Sequence, residues 1–230
     1  MPLIEVESVS HAYPARRRPV LHDVSVRLDE HRIGVIGANG SGKSTFARLL
    51  NGLVVPDRGT VRIDGHDTRR QGKRVRQLVG FCFTDPDAQI VMPTVAEDVA
   101  FSLRRELTGC ALQERVAEML ARFGLAEHAD HPAHLLSGGQ KQLLALASVL
   151  VTRPALLVLD EMTTLLDLRN AARIGELVAG LDEQVVLLTH QLDLLDGFDR
   201  VLVFDEGRLV ADAAPDGAVD HYRALMRAGR

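Results

Sequence analysis

The chain has 230 residues, a formal net charge of -4, 46% hydrophobic residues and 25% charged residues, which is the composition of an ordinary globular protein. That length suits one domain with a small subdomain, and the acidic balance gives no sign of nucleic-acid binding. Cys82 and Cys110 are the only cysteines, so we expect no disulfide framework. The N-terminus lacks the apolar core of a signal peptide, and the longest apolar run, 143–151, is too short to cross a bilayer. We therefore expect any membrane role to depend on partner proteins.

Strand and helix patterns alternate along the chain, which indicates an α/β protein. Apolar alternation or short apolar runs predict strands at 3–9, 24–28, 32–37, 60–65, 79–83, 155–160 and 185–190, and a hairpin at 201–210. Helical spacing predicts helices at 43–52, 94–107, 112–124, 137–152 and about 168–181. We expect one domain, 1–230, with a mostly parallel core sheet, an antiparallel β subdomain from the early strands, and a helical subdomain inserted at about 94–150.

Residues 37–45, GANGSGKST, match the phosphate-binding pattern G-x-x-x-x-G-K-[ST] between a predicted strand and a predicted helix. Glycines let backbone N–H groups approach a triphosphate, and the following helix N-terminus adds partial positive charge. Lys43 can reach the β- and γ-phosphates, and the Ser44 hydroxyl can bind Mg²⁺. The alternative is a glycine-rich turn that binds nothing, which the strand–loop–helix context disfavours. The predicted nucleotide-binding residues of this P-loop are Gly37, Asn39, Gly40, Ser41, Gly42, Lys43, Ser44 and Thr45.

Two acidic residues end the predicted strand in ALLVLDE, residues 155–161. Such a strand places carboxylates at the carboxyl edge of a parallel sheet, beside the P-loop. We expect Asp160 to hold Mg²⁺, directly or through water, and Glu161 to orient or deprotonate an attacking water. Solvated acids at a strand end are an equally good interpretation of this stretch alone, but not beside a P-loop.

The LSGGQ motif, residues 136–140, begins the next predicted helix. Ser137 is a favoured N-cap residue, and Gly138 and Gly139 leave the first backbone amides open to an anion. Taken alone, the motif is equally typical of an ordinary capped helix. With Gln140, these residues form a second candidate nucleotide contact.

In this order, GANGSGKST, LSGGQ and ALLVLDE resemble the nucleotide-binding subunits of ATP-binding-cassette (ABC) transporters over essentially the whole chain. The resemblance implies a P-loop NTPase fold of the ABC type that hydrolyses ATP with Mg²⁺. It also implies that two copies, or one copy and a homologous ATPase, sandwich two ATP molecules. The P-loop of one copy would face Ser137, Gly138 and Gly139 of the other, which places donors on both sides of the developing charge.

Three further residues match the family pattern one at a time. His190, at the end of VVLLTH, resembles the switch histidine that contacts the γ-phosphate, and with Lys43 and Glu161 it completes the candidate catalytic set. Asp167 in TTLLD resembles the loop aspartate that crosses the dimer interface. Tyr13 in SHAYP stands where the family stacks an aromatic ring on adenine, although an aromatic residue packed in the core is the alternative.

Two positions depart from the family pattern. Met162 stands where a proline usually follows the catalytic acid. The glutamine that the family places before the helical subdomain, in a phrase like F-Q-N-P, is replaced by Thr84 in FTDP. A threonine is shorter than a glutamine, so we expect Thr84 to contact Mg²⁺ through water, with Asp85 as a second contributor.

The segment 85–101, DPDAQIVMPTVAEDVAF, resembles the same region of energy-coupling-factor importers, and within that group the biotin branch. The resemblance implies a peripheral ATPase on the cytoplasmic face of the membrane, bound to a transmembrane coupling protein and a substrate-binding membrane protein. Cobalt or nickel import, export, and a regulator without transport are the alternatives. Zinc at the three histidines of HADHPAH, His128, His131 and His134, is disfavoured because Pro132 interrupts a shared helical face.

Overall fold

The computed structural model describes residues 1–14, 19–104, 106–164 and 166–228. The strands are Ile4–His11 (β1), Leu21–Leu28 (β2), Arg32–Gly37 (β3), Arg58–Ile63 (β4), His66–Asp67 (β5), Val79–Cys82 (β6), Leu156–Asp160 (β7), Gln184–Leu188 (β8), Arg200–Asp205 (β9) and Arg208–Ala213 (β10). The α-helices are Lys43–Leu50 (α1), Gly72–Leu78 (α2), Val95–Phe101 (α3), Gly109–Arg122 (α4), Gly138–Leu150 (α5), Leu168–Ala179 (α6) and Pro215–Ala228 (α7). Together they confirm the predicted α/β class.

The larger sheet has six strands in the order β10-β9-β3-β8-β7-β6. All its neighbouring strands are parallel except β9 and β10, which form the predicted hairpin. Every residue of β3, β7 and β8 is buried, because helices or the second sheet cover both faces of these central strands. The carboxyl ends of β3 and β7 therefore place the P-loop and the two acidic residues at the same edge of the sheet.

The second sheet is antiparallel, in the order β2-β1-β4-β5, and corresponds to the predicted β subdomain. Its apolar side chains pack with α1 against one face of the larger sheet, where Phe46 and Val158 are fully buried. The opposite face carries Leu157 and Leu159, which pack in a cluster with α3, α4 and α5. Successive side chains of β7 thus point to opposite faces of the sheet, so this one strand contributes to both apolar clusters.

Some predicted boundaries were wrong. The helix expected at 94–107 ends at Phe101, where bonds of the i−3 type, such as Leu103 N–H to Ala100 O at 3.0 Å, replace the helical pattern. Helix α4 begins at Gly109, three residues before the predicted start. Helix α2 was not predicted, because Val75 is its single buried residue and leaves no apolar stripe to detect. No helix in the described part of the chain has the length and apolar character to cross a bilayer.

Candidate functional site

The P-loop follows β3 and leads into α1 in a backbone shape that favours glycine. Gly40 and Gly42 have φ of 79° and 104°, in the left-handed region. At Gly37, a Cβ would lie 2.1 Å from the carbonyl oxygen of Phe204 in β9, so no larger residue fits there. The hydroxyl of Ser41 is buried and has no hydrogen-bond partner within the described chain. The loop is therefore a tight cradle with an unpaired polar group, which fits an anionic ligand.

Lys43 lies under this loop and is 4% exposed. Its Nζ donates to the carbonyl oxygens of Gly37 at 2.8 Å and Ala38 at 3.0 Å, and lies 3.8 Å from Glu161 Oε1. Burial lowers the pKa of Lys43, and the nearby carboxylates oppose that shift only in part. The ammonium is thus held in place at the loop, where a phosphate can replace a carbonyl as its partner.

Ser44 and Asp160 form the next pair, and the Ser44 hydroxyl donates to Asp160 Oδ1 at 2.8 Å. Asp160 is 1% exposed, and burial raises its pKa, with the charge of Glu161 adding to the shift. The guanidinium of Arg48 lies 3.9 Å from Asp160 Oδ2. A hydroxyl and a carboxylate oxygen at this distance are hard donors of the kind that Mg²⁺ prefers.

Glu161 follows β7 with φ of 54°, a left-handed conformation that is uncommon for a residue with a side chain. Its backbone N–H donates to Leu188 O at 3.1 Å, which fixes this turn against β8. The Nε2 atom of His190 lies 2.7 Å from Glu161 Oε1, but the ring is not aimed to form a hydrogen bond with it. The strained turn therefore places the carboxylate between Lys43 and His190.

Tyr13 lies at the edge of the same site. Its hydroxyl is 3.4 Å from Thr45 Oγ1, and its ring packs edge-on against His11 at 4.9 Å between centroids. The open cleft beside these residues has a volume of about 400 Å³. It is lined by Tyr13, Val20, Asn39, Gly40, Gly42, Lys43, Ser44, Thr45, Arg48 and Glu161. Arg48 was missed in the sequence, although its place four residues after Ser44 on α1 puts both on one helical face.

The LSGGQ motif begins α5. Ser137 and Gln140 form a capping box, in which Gln140 N–H donates to Ser137 Oγ at 3.3 Å and Ser137 N–H donates to Gln140 Oε1 at 2.9 Å. Gly138 is exposed, with open space where a Cβ would lie. A Cβ on Gly139 would lie 2.8 Å from Asn170, whose N–H donates to Asp167 Oδ1 at 2.8 Å. The structure thus brings Asp167 and the motif together.

Two separate places therefore carry the predicted nucleotide contacts. As far as the structure describes the chain, the residues that line the P-loop cleft include none of 137–140. The cleft is open to solvent, and the LSGGQ motif lies outside it, at the exposed start of α5. Within one copy, the LSGGQ motif does not complete the P-loop site.

Thr84 and Gln89 lie in the loop after β6. The Thr84 hydroxyl donates to the carbonyl oxygen of Asp160 at 2.8 Å, and Thr84 O accepts from Gln142 Nε2 at 2.8 Å. Thr84 therefore contacts the backbone of the acidic strand end. Both ends of the Gln89 amide are used inside the loop, because Oε1 accepts from Phe83 N–H at 3.1 Å and Nε2 donates to Ala145 O at 3.0 Å. Gln89 does not reach the cleft.

Two remaining sequence features also have definite places. Met162 is 1% exposed and packs in the apolar cluster with α3 to α5, so it fills core volume where the family has proline. His128 and His131 face each other through their Nδ1 atoms at 2.8 Å. In the described residues, no group of three histidine, cysteine or acidic side chains is placed to hold a metal ion.

A family profile described as "ABC transporter" matches residues 21–164. The chain belongs to the ABC transporter family. It is 53% identical to a putative ABC transporter ATP-binding protein of Deinococcus radiodurans, over 97% of this chain and 99% of the relative. It is 48% identical to the biotin transport ATP-binding protein BioM of Rhizobium etli, over 96% of this chain and 98% of the relative.

Among solved structures, cbiO1 of Clostridium perfringens superimposes with a TM-score of 0.83 at 30% identity, over 97% of this chain and 92% of that one. These similarities confirm the resemblance inferred from the three motifs, and they confirm the ABC-type fold. The chain is accordingly an ATP-binding and ATP-hydrolysing domain of this family. Its transported substrate and partners are the subject of a proposal.

Proposed function

We propose that this chain is the ATPase of an energy-coupling-factor importer that takes up biotin. The 48% identity to a biotin transport ATP-binding protein over 96% of the chain is the observation that carries the assignment. The segment 85–101 adds support, because its residues resemble that branch of the family. Cobalt or nickel import remains the alternative cargo within the same group.

In the proposed mechanism, the P-loop amides and Lys43 bind the phosphates of ATP, and Tyr13 stacks on the adenine. Ser44 and Asp160, with Thr84 through water, would hold Mg²⁺, which neutralises phosphate charge when bound. Glu161 accepts a proton from the attacking water and directs it toward the γ-phosphate. His190, beside Glu161, donates to that phosphate. The strained turn at Glu161 supports this role because it fixes the carboxylate before the substrate arrives.

A second copy, or a homologous ATPase, would supply the remaining contacts. Ser137, Gly138, Gly139 and Gln140 of the partner would face the γ-phosphate, and Asp167 would cross the interface. The separation of the LSGGQ motif from the P-loop cleft in one copy supports this arrangement. Donors on both sides of the γ-phosphate would stabilise the charge that develops there.

The proposed transmembrane partner would bind near residues 84–101. Val91 and Phe101 are large apolar side chains that are 64% and 53% exposed. Next to Phe101, Ala100, Leu112 and Val116 line an apolar groove of about 420 Å³ between α3 and α4. Exposed apolar side chains beside a groove are typical of a protein interface. We propose that the chain is peripheral, on the cytoplasmic face of the membrane.

Uptake of labelled biotin in cells tests the assignment. Cells that depend on this chain and its membrane partners would carry the wild type, Lys43→Ala, or Lys73→Ala. Lys73 is an exposed lysine on α2, outside the cleft, and serves as the matched control. We expect Lys43→Ala to abolish biotin uptake and Lys73→Ala to preserve it. Biotin uptake that is indifferent to Lys43→Ala, with labelled cobalt or nickel uptake lost instead, would reject biotin as the cargo.

A further inference from the structure

The side-chain amide of Gln140 in the LSGGQ motif is held at both ends. Its Oε1 accepts the Ser137 backbone N–H at 2.9 Å, and its Nε2 lies 2.9 Å from His128 Nε2. Because a backbone N–H can only donate, the amide oxygen must face Ser137 and the amide NH₂ must face the histidine. His128 is thus the second hydrogen-bond partner of the Gln140 side chain, which completes the capping box at the start of α5.

These contacts fix the protons on two imidazole rings. His128 Nε2 must accept from the Gln140 amide, so the proton of the neutral His128 ring lies on Nδ1. That Nδ1 lies 2.8 Å from His131 Nδ1, which must therefore accept and carry its own proton on Nε2. A second proton on either ring would turn one of the two acceptors into a donor that faces another donor. The complete chain of hydrogen bonds exists only when both rings are neutral.

The two histidines lie on a segment that is tied to the start of α3. Val95 N–H donates to His131 O at 3.2 Å, and Ala96 N–H donates to Ala129 O at 2.9 Å. Ala133 N–H donates to Pro93 O at 2.8 Å. These backbone bonds join the segment to residues 85–101, which we propose to face the membrane partner. A continuous set of hydrogen bonds therefore runs from that surface to Ser137.

Among the described residues, no charged side chain takes part in these hydrogen bonds. None of the described carboxylates lies within 4.0 Å of a ring nitrogen of His128 or His131. On α3, Glu97 is held by the Thr94 cap, and on α5, Lys141 pairs with Asp87. The other charged groups nearby are Glu127 and Asp130, exposed on the same segment, and Arg173 of α6, which donates to Phe123 O.

We propose that His128, supported by His131, is a positioning residue for the LSGGQ motif. It holds the Gln140 amide, which in turn fixes the Ser137 end of α5 for the nucleotide bound by the partner copy. The inference rests on the proposed dimeric sandwich and adds the residue that orients its LSGGQ side.

ATP-dependent dimerisation of a Glu161→Gln background measures this role, since that variant is expected to bind ATP and hydrolyse it poorly. We expect His128→Ala to weaken dimerisation about tenfold, because the Gln140 amide is no longer held in the monomer and must be ordered at each of two motifs when the dimer forms. His128→Gln supplies a neutral amide oxygen that can accept from Gln140, so it should restore dimerisation.

His134→Ala is the matched control, because His134 is exposed on the same segment and has no hydrogen bond to the motif in the described structure. It should dimerise like the background. Binding of a fluorescent ADP analogue to the monomer should be equal in every variant, which excludes misfolding as the cause.

Equal dimerisation of His128→Ala and the background, or weakened dimerisation that persists in His128→Gln, would overturn the role of His128 alone. If the Glu161→Gln background itself does not dimerise with ATP, the proposed sandwich is wrong, and the role of His128 is wrong with it.

Discussion

Two carboxylates and an ammonium group lie close together at the end of β7. They belong to Asp160, Glu161 and Lys43. Asp160 and Lys43 are almost fully buried, and burial disfavours the charged form of each. The Ser44 hydroxyl and Arg48 offset part of this cost at Asp160, but the pKa of the carboxyl stays above its usual range. Without a bound cation, this site therefore stabilises the charged form of Asp160 poorly. A bound Mg²⁺ would stabilise it.

Asp160→Asn should raise the stability of the nucleotide-free protein. A carboxyl whose folded pKa is raised binds its proton more tightly when folded, so stability is lost as pH rises from the usual aspartate value through the folded value. The uncharged amide of asparagine avoids this loss of stability. We expect the melting temperature of Asp160→Asn to be about 2–4 °C higher at neutral pH. The gain should shrink as the pH falls toward the usual aspartate range, because a protonated carboxyl carries no such cost.

Thermal unfolding at a series of pH values measures the effect, with Asp64→Asn as the control. Asp64 is exposed in the turn after β4 and should show no such gain. Adding Mg²⁺ and ATP should stabilise the wild type and have less effect on Asp160→Asn, because the variant lacks the charged ligand. A lower melting temperature for Asp160→Asn at neutral pH would show that the carboxylate is stabilised in the free site.

The loop between β6 and α3 has one short 3₁₀ helix, Pro86–Ala88, and side chains tie it to the rest of the fold. Gln89 bridges the end of β6 to α5, and Asp98 of α3 accepts from the backbone N–H groups of Val91 and Met92 at 2.9 and 3.0 Å. Ser148 of α5 donates to the same carboxylate at 2.8 Å. The half-buried Gln89 and the buried Asp98 therefore fix the loop that carries Thr84 on one side and the proposed partner surface on the other.

Gln89→Ala should destabilise the protein without weakening nucleotide binding. The change removes both hydrogen bonds that the amide makes with Phe83 N–H and Ala145 O, and we expect the free energy of unfolding to fall by about 1–3 kcal/mol. Chemical denaturation measures this change. Gln77→Ala, at an exposed position on α2, should change it by less than about 0.5 kcal/mol. Unchanged stability with weaker ATP binding would instead place Gln89 in the nucleotide site.

The sequence predicted the elements around the P-loop because each carries a strong local signal. Strand β7 is a continuous apolar run, and the P-loop has a fixed pattern of glycines. Helix α2 has no such signal, since Val75 is its one buried residue, and the end of α3 depends on bonds that tighten after Phe101. The contact of Arg48 with Asp160 and the pairing of His128 with His131 join side chains from different segments or turns, which spacing along the chain does not specify.

At the scale of the whole molecule, one copy holds the P-loop cleft and the LSGGQ motif at two separate places. The P-loop cleft is lined on one side by α1 and the acidic strand end, and the LSGGQ motif lies outside it. In the proposed twofold dimer, each P-loop cleft would face the LSGGQ motif of the partner, so both sites would be made of residues from two chains. Two variants that are each inactive alone could therefore form one intact site in a mixed dimer.

Lys43→Ala damages the P-loop, and Gly138→Glu places a negative charge on the motif face that meets the γ-phosphate. Gly138 has open space for a side chain, and an acid at a helix start is favourable, so this variant should fold normally. Each variant alone should have almost no ATPase activity. In an equal mixture, about half of the dimers contain both variants and have one intact site, so about a quarter of wild-type activity should return. Because the motif of one chain cannot complete its own cleft, a mixture as inactive as its components would reject the homodimeric sandwich.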